Sequence, residues 1–171
     1  MKFEAKKDIA TKCFNKSKRG AYLFMPGGPI LALLMILSNY HERHDVPLTI
    51  ILIGVEIWFF VVPIRGLKEG IGLMNKMIDE IVINGKQLTC KTFEVSMYLN
   101  FLKMAPININ TNMDDVVFEQ LERKLGFDRK YTGEIYYFTY GNEQYMMPEN
   151  FFDDFEKIKL EFEKNNSSKN S

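Results

Sequence analysis

Polar and apolar positions alternate along this chain in three regimes, and each regime predicts a different kind of element. Residues 1–19 are basic, with Ile9 and Cys13, and likewise Ala10 and Phe14, four apart, as on one face of an amphipathic helix. Two apolar runs follow, Ala21–Ser38 and Val46–Ile64, separated by the polar heptapeptide 39–45. From residue 79 onward the pattern breaks into short alternating stretches punctuated by Asn-Gly and Gly-Asn pairs.

The apolar runs approach the length that a bilayer core demands, about 20 residues at 1.5 Å each. With only a tight reversal between them, they predict a transmembrane helical hairpin across residues 20–65, and hence the lipid bilayer as a partner. Lys2, Lys6, Lys7, Lys12, Lys16, Lys18 and Arg19 precede the first run, and Arg65, Lys68 and Lys76 follow the second. By the positive-inside rule this distribution puts both termini on the cytoplasmic side of the cell (inner) membrane, in a multi-pass arrangement. A long charged leader containing Glu4 and Asp8, with no small-residue cleavage site, argues against a signal peptide.

Two irregularities in the runs are candidate functional features. Pro26-Gly27-Gly28-Pro29 interrupts the first, where a proline removes a backbone donor and clashes with the preceding turn. It predicts a kink, or a helix that starts in earnest near Pro29, with a hinge or binding notch as the functional reading and a tolerated kink as the plainer one. Glu56 lies near the middle of the second run beside Gly54, and is expected to be protonated or paired there. Helix-to-helix hydrogen bonding competes with a proton-handling role for it.

A juxtamembrane connector is read at 66–78 and a separate domain at 79–164, with 165–171 a disordered tail. Glu80–Ile83 and Lys86–Lys91 flank Asn84-Gly85, which reads as a β-hairpin. Val95, Met97, Leu99 and Phe101 alternate with polar neighbours as in a half-buried strand, and a short extended piece follows at Ile107 and Ile109. Asp114 and Asp115, then Val117, Phe118, Leu121 and Leu125, predict a helix from about Thr111 to Leu125, ended by Gly126. Glu134–Tyr140 and Gln144–Met147 form a second hairpin around Gly141-Asn142, and Pro148 opens a last helix whose Phe151, Phe155, Ile158 and Phe162 share a face. The order predicts an α+β domain with mainly antiparallel pairing.

Composition narrows function by exclusion. Lys plus Arg and Asp plus Glu balance at 22 each, so no overall field points to nucleic acid. Cys13 and Cys90 fit no metal-ligand spacing and are read as reduced, unpaired thiols. His41 and His44, beside Glu42 and Asp45, could face a metal ion or sense pH, but a short solvated turn explains them. No phosphate-binding loop, dinucleotide fingerprint, nucleophile elbow or zinc-helix motif occurs, so the chain is read as non-enzymatic, without cofactor, metal or evident small-molecule substrate. Tyr136, Tyr137, Tyr140 and Tyr145 crowd the second hairpin and are the candidate partner surface, with cross-strand packing as the alternative.

Two apolar runs, small antiparallel strands, and the stretch Tyr136…Gly141-Asn142-Glu143-Gln144-Tyr145-Met146-Met147-Pro148 leading into a Phe-rich helix resemble small bacterial two-span membrane proteins with a pleckstrin-homology-like (PH-like) cytoplasmic domain. The resemblance implies a binding or scaffolding role, with a protein partner or self-association through the hairpin or the domain. Two alternatives stay open at this level: an immunity protein against a membrane-active toxin, and an accessory subunit of a transporter or membrane enzyme that uses Glu56.

Overall fold

The computed structural model describes residues 1–42, 46–97, 102–122 and 125–167. It divides the chain into two units: Met1–Asn15 with Ile71–Ser171, and Lys16–Gly70. The first is an α+β unit, the second a helical one.

The α+β unit begins with a strand that hydropathy did not announce. β1 (Lys2–Glu4) pairs antiparallel with β2 (Ile78–Asn84), placing Phe3 opposite Ile81. β2 pairs with β3 (Gln87–Thr92), and β3 with β6 (Asn108–Asn112), giving a four-stranded sheet in the order β1-β2-β3-β6. Phe3, Ile81, Cys90 and Ile109 fall on one row across the four strands, and Ile81, Cys90 and Ile109 are buried. Alternation explains this, since every second side chain of a strand shares a face. The β2–β3 turn sits one residue later than Asn84-Gly85. Asn84 pairs with Gln87, leaving Gly85 (φ +59°) and Lys86 in the turn, where the left-handed backbone suits glycine.

A two-stranded ribbon of β4 (Val95–Met97) and β5 (Leu102–Met104) lies between β3 and β6 in the chain. Tyr98–Phe101, the rest of the predicted alternating strand, lie outside the described residues.

The helix predicted over 111–125 does not form. Met113–Asp115 make one 3-10 turn, and β7 (Val117–Gln120) pairs with β8 (Ile135–Tyr140), with Phe118 opposite Phe138. The helical spacing of Val117, Phe118, Leu121 and Leu125 is real, but β-branched and aromatic residues gain more from cross-strand packing than from an isolated turn. The second hairpin stands as read: β8 pairs with β9 (Glu143–Pro148) around Gly141-Asn142, completing a sheet β7-β8-β9. An isolated parallel bridge, Met77 to Met146, joins its outer strand to the chain entering β2.

A single turn, α3 (Arg129–Thr132), is capped by the Asp128 carboxylate, which accepts from the Lys130 N–H at 3.0 Å. The last helix, α4 (Phe155–Ser167), starts seven residues after Pro148, because Glu149–Phe151 form a 3-10 turn first. Its predicted apolar face is correct: Phe151, Phe155, Ile158 and Phe162 are all buried.

Helices α1 (Lys7–Glu42) and α2 (Val46–Asn75) carry the two apolar runs. Among the described residues, no helix is long and apolar enough to cross a membrane. This overturns the transmembrane hairpin, the integral-membrane reading, and the multi-pass inner-membrane placement with both termini cytoplasmic. The expectation rested on runs of 18 and 19 residues, at the short edge of the about 20 that a span needs. The first is broken by Pro26-Gly27-Gly28-Pro29 and the second by Glu56. α1 also starts far upstream, at Lys7, and its first turns belong to the α+β unit. There Ala10, Cys13 and Phe14 are buried, and Phe14 meets Phe93 edge-on at 5.3 Å and Phe151 at 6.2 Å. The apolar face predicted for an amphipathic helix is thus spent on a protein core.

Candidate functional site

The four tyrosines of the β8–β9 hairpin do not form one surface. Tyr136 packs its ring parallel to Phe118 at 5.3 Å and against Phe155 at 5.0 Å, with the Lys159 ammonium 5.6 Å from its centroid. Tyr145 is buried and stacks on Phe138 at 5.6 Å, and burial pushes its hydroxyl pKa up. These two serve the core. Tyr137 donates its hydroxyl to the Glu119 carboxylate across the β7–β8 pair, which raises its pKa because the protonated form holds the bond. Tyr140 alone is exposed, at the end of β8. It forms one wall of a polar groove of about 460 Å³ whose other residues are Gln87, Asn110, Thr111, Asn112 and Asp115. Cross-strand packing therefore claims most of the cluster, and one member faces a site that hydropathy did not single out.

A second concavity, about 530 Å³, lies among the start of α1, α3, the 3-10 turn before α4 and α4 itself. Lys6, Lys12, Lys130 and Lys157 line it together with Glu149, Asp153, Asp154 and Glu156. Its charges answer one another: Lys6 pairs with Asp153, Lys157 with Asp154 at 2.9 Å, and Glu149 accepts the Glu134 N–H at 3.1 Å. Asp153 thus ties the N-terminal segment to the turn before α4, and Asp154 pairs locally with Lys157 at the start of that helix. The cleft is a seam of the fold in which Lys6, Lys157, Glu149, Asp153 and Asp154 are already engaged. The Asp114-Asp115 pair sits in the 3-10 turn, where Asp114 meets Lys86 at 2.9 Å.

In the helical unit, Pro26, Gly27, Gly28 and Pro29 lie within α1, which is helical on both sides of them, so the helix does not begin at Pro29. Glu56 lies within α2. Their side chains fall outside the described residues, as do Arg43–Asp45 with His44. Among the described residues, no group of His, Cys, Asp and Glu could hold a metal ion.

The described residues of these helices do show an apolar exterior. Ile30, Leu33, Leu34 and Leu37 recur at i, i+3, i+4 and i+7 on α1, and each is about half exposed. Ile50, Ile53 and Ile57 recur at i, i+3 and i+7 on α2, exposed by 65%, 44% and 58%. Spacing of this kind sets a row of apolar side chains along each helix, and Met35, Ile51 and Val55 beside these rows are exposed as well.

Comparisons with protein families, with curated proteins and with solved structures find no match for this chain.

Proposed function

We propose that this chain is a non-enzymatic binding or scaffolding protein, in which the α+β unit is a PH-like binding module and the helical unit attaches it to another protein chain. The exposed stripes on α1 and α2 carry the reading. Each large aliphatic side chain left about half exposed forgoes part of the roughly 1.5–3 kcal/mol that full burial gives, and apolar side chains exposed side by side mark an interaction site. The PH-like part is supported by the antiparallel sheets of four, two and three strands, followed by a C-terminal helix.

The test is the mass of the purified full chain by light scattering, with and without Ile50→Ser, Ile53→Ser and Ile57→Ser together. The unaltered chain should form a larger species, alone or with its partner, and the triple variant should fall to the mass of one chain. An unchanged mass would refute attachment through this stripe.

A further inference from the structure

The outer edge of β6 offers a row of backbone groups that nothing in the described structure uses. At one end of the β3–β6 ladder the Thr92 N–H donates to the Ile107 carbonyl at 3.0 Å, and at the other the Met113 N–H donates to the Lys86 carbonyl at 2.7 Å. Antiparallel pairing alternates, so Ile107, Ile109, Thr111 and Met113 direct their backbone groups toward β3. Asn108, Asn110 and Asn112 therefore direct theirs outward, and β6 is the last strand of its sheet.

Proteins ordinarily blunt such edges with charge, proline, bulges or extreme shortness. β1, at the opposite edge, is three residues long and carries Lys2 and Glu4, ion-paired to each other. β7, at the edge of the other sheet, carries Glu119. β6 runs five residues, Asn-Ile-Asn-Thr-Asn, with no charge, no proline and no break in register against β3. Asn110 and Asn112 of this edge strand also line, with Gln87 of β3, the groove that the exposed Tyr140 bounds. Asp115, also exposed, is the one charged residue lining that groove.

We infer that the β6 edge is a strand-addition site for an extended segment of a partner protein, with Tyr140 packing on the added strand and a Lys or Arg of that segment lying against Asp115. Main-chain hydrogen bonds to Asn108, Asn110 and Asn112 supply the binding, and the groove between β6 and Tyr140 supplies the side-chain selection. A single carboxylate in an otherwise neutral groove selects a cation. The inference rests on reading the α+β unit as a binding module.

The decisive substitution is Asn112→Pro. Asn112 has φ −84°, close to the proline value, and its N–H faces away from β3, so the ladder keeps its bonds while the edge loses a donor and gains a ring. Asn110→Pro is the second such variant. The probe is an array of random octapeptides presented to the labelled full chain, with far-UV circular dichroism to confirm each variant's fold. Bound peptides should be rich in β-branched residues, poor in proline, and enriched in Lys or Arg at one position. Asn112→Pro or Asn110→Pro should weaken them about tenfold or more, the scale of one lost hydrogen bond plus a blocked approach. Asp115→Asn should abolish only the Lys or Arg enrichment. If peptides bind equally to both folded proline variants, the edge is not the site, although the module still binds. Absence of any bound peptide, with self-association unaffected by the proline variants, would overturn the binding-module reading and this inference together. Loss of self-association in the proline variants, with no peptide bound, would assign the edge to a second copy and overturn the partner segment.

Discussion

The rings of Phe118 and Phe162 lie almost parallel, 14° apart, with centroids separated by 4.5 Å, so that β7 is stacked directly on α4. Phe118 is sandwiched, since Tyr136 covers its other face at 5.3 Å. This contact explains why the segment around Val117 becomes a strand. As a strand it puts Phe118 opposite Phe138 and over Phe162, contacts that a local helix would have lacked.

Phe162 is fully buried, so Phe162→Ala should cost about 3–5 kcal/mol of unfolding free energy in the α+β unit. Phe118→Ala should cost less, because Phe118 is only half-buried. Chemical denaturation followed by far-UV circular dichroism measures both, and equal losses would show that the stack is not organised around the helix residue.

Asn75, buried at the end of α2, donates from Nδ2 to the carbonyls of Phe93 at 2.8 Å and Ala105 at 3.0 Å. It thereby ties the chain entering β2 to both strands of the β4–β5 ribbon at its open end. Asn75→Ala should destabilise by about 2 kcal/mol, since buried carbonyls lose their donor. Asn75→Asp should be worse, because it turns an acceptor toward acceptors. Hydrogen exchange of the β4–β5 amides should accelerate in both variants.

Asp79 is partly buried, and desolvation raises its pKa above the usual carboxylate value of 3.8, against the opposing pull of Lys7 and Lys91. A raised folded-state pKa means that the native state binds the proton more tightly than the unfolded chain. Its contribution is therefore favourable at acid pH and is lost as pH rises through the acid range just above the unfolded value. Asp79→Asn should raise the melting temperature at neutral pH and leave it nearly unchanged well below that range. A melting temperature that falls at neutral pH would refute the assignment.

Burial pushes the Cys90 thiol up to about 12 and the Cys13 thiol, with a contribution from Asp128, to about 11. The thiolate is the reactive form, so neither should react with iodoacetamide in the folded chain near neutral pH. Both should label promptly in denaturant, and mass spectrometry of the intact chain reads the two states. Rapid labelling of Cys90 without denaturant would show that the β1-β2-β3-β6 sheet opens far more often than its packing implies.

Where a segment's own residues carried the whole signal, its structure was readable in advance. Gly141-Asn142 between alternating stretches defined the β8–β9 hairpin, and the spacing of Phe151, Phe155, Ile158 and Phe162 defined the buried face leading into α4. Turn chemistry and periodicity are local, and both act within a few residues. β1 escaped notice because three residues hold no period, and its partner lies almost eighty positions away. The strand at 117–120 was ambiguous for a related reason, since Val117, Phe118 and Leu121 satisfy a helix face as well as a sheet.

The candidate site divides along the same line. Composition marked the tyrosines of the second hairpin, but strand register and the position of α4 decided that Tyr136 and Tyr145 serve the core while Tyr140 faces a groove. The Asn-rich strand beside it carried no sequence signal of an open edge, because whether a strand is last in its sheet depends on every other strand. Hydropathy by itself determined that residues 21–38 and 46–64 are apolar and that 79–164 alternate in short elements. Tertiary structure decided that these runs lie in helices not long and apolar enough, among the described residues, to cross a membrane, and that Ala10, Cys13 and Phe14 complete a core formed from the other end of the chain. The reason is physical: apolar periodicity states that a face must be covered, and only the folded chain determines what covers it.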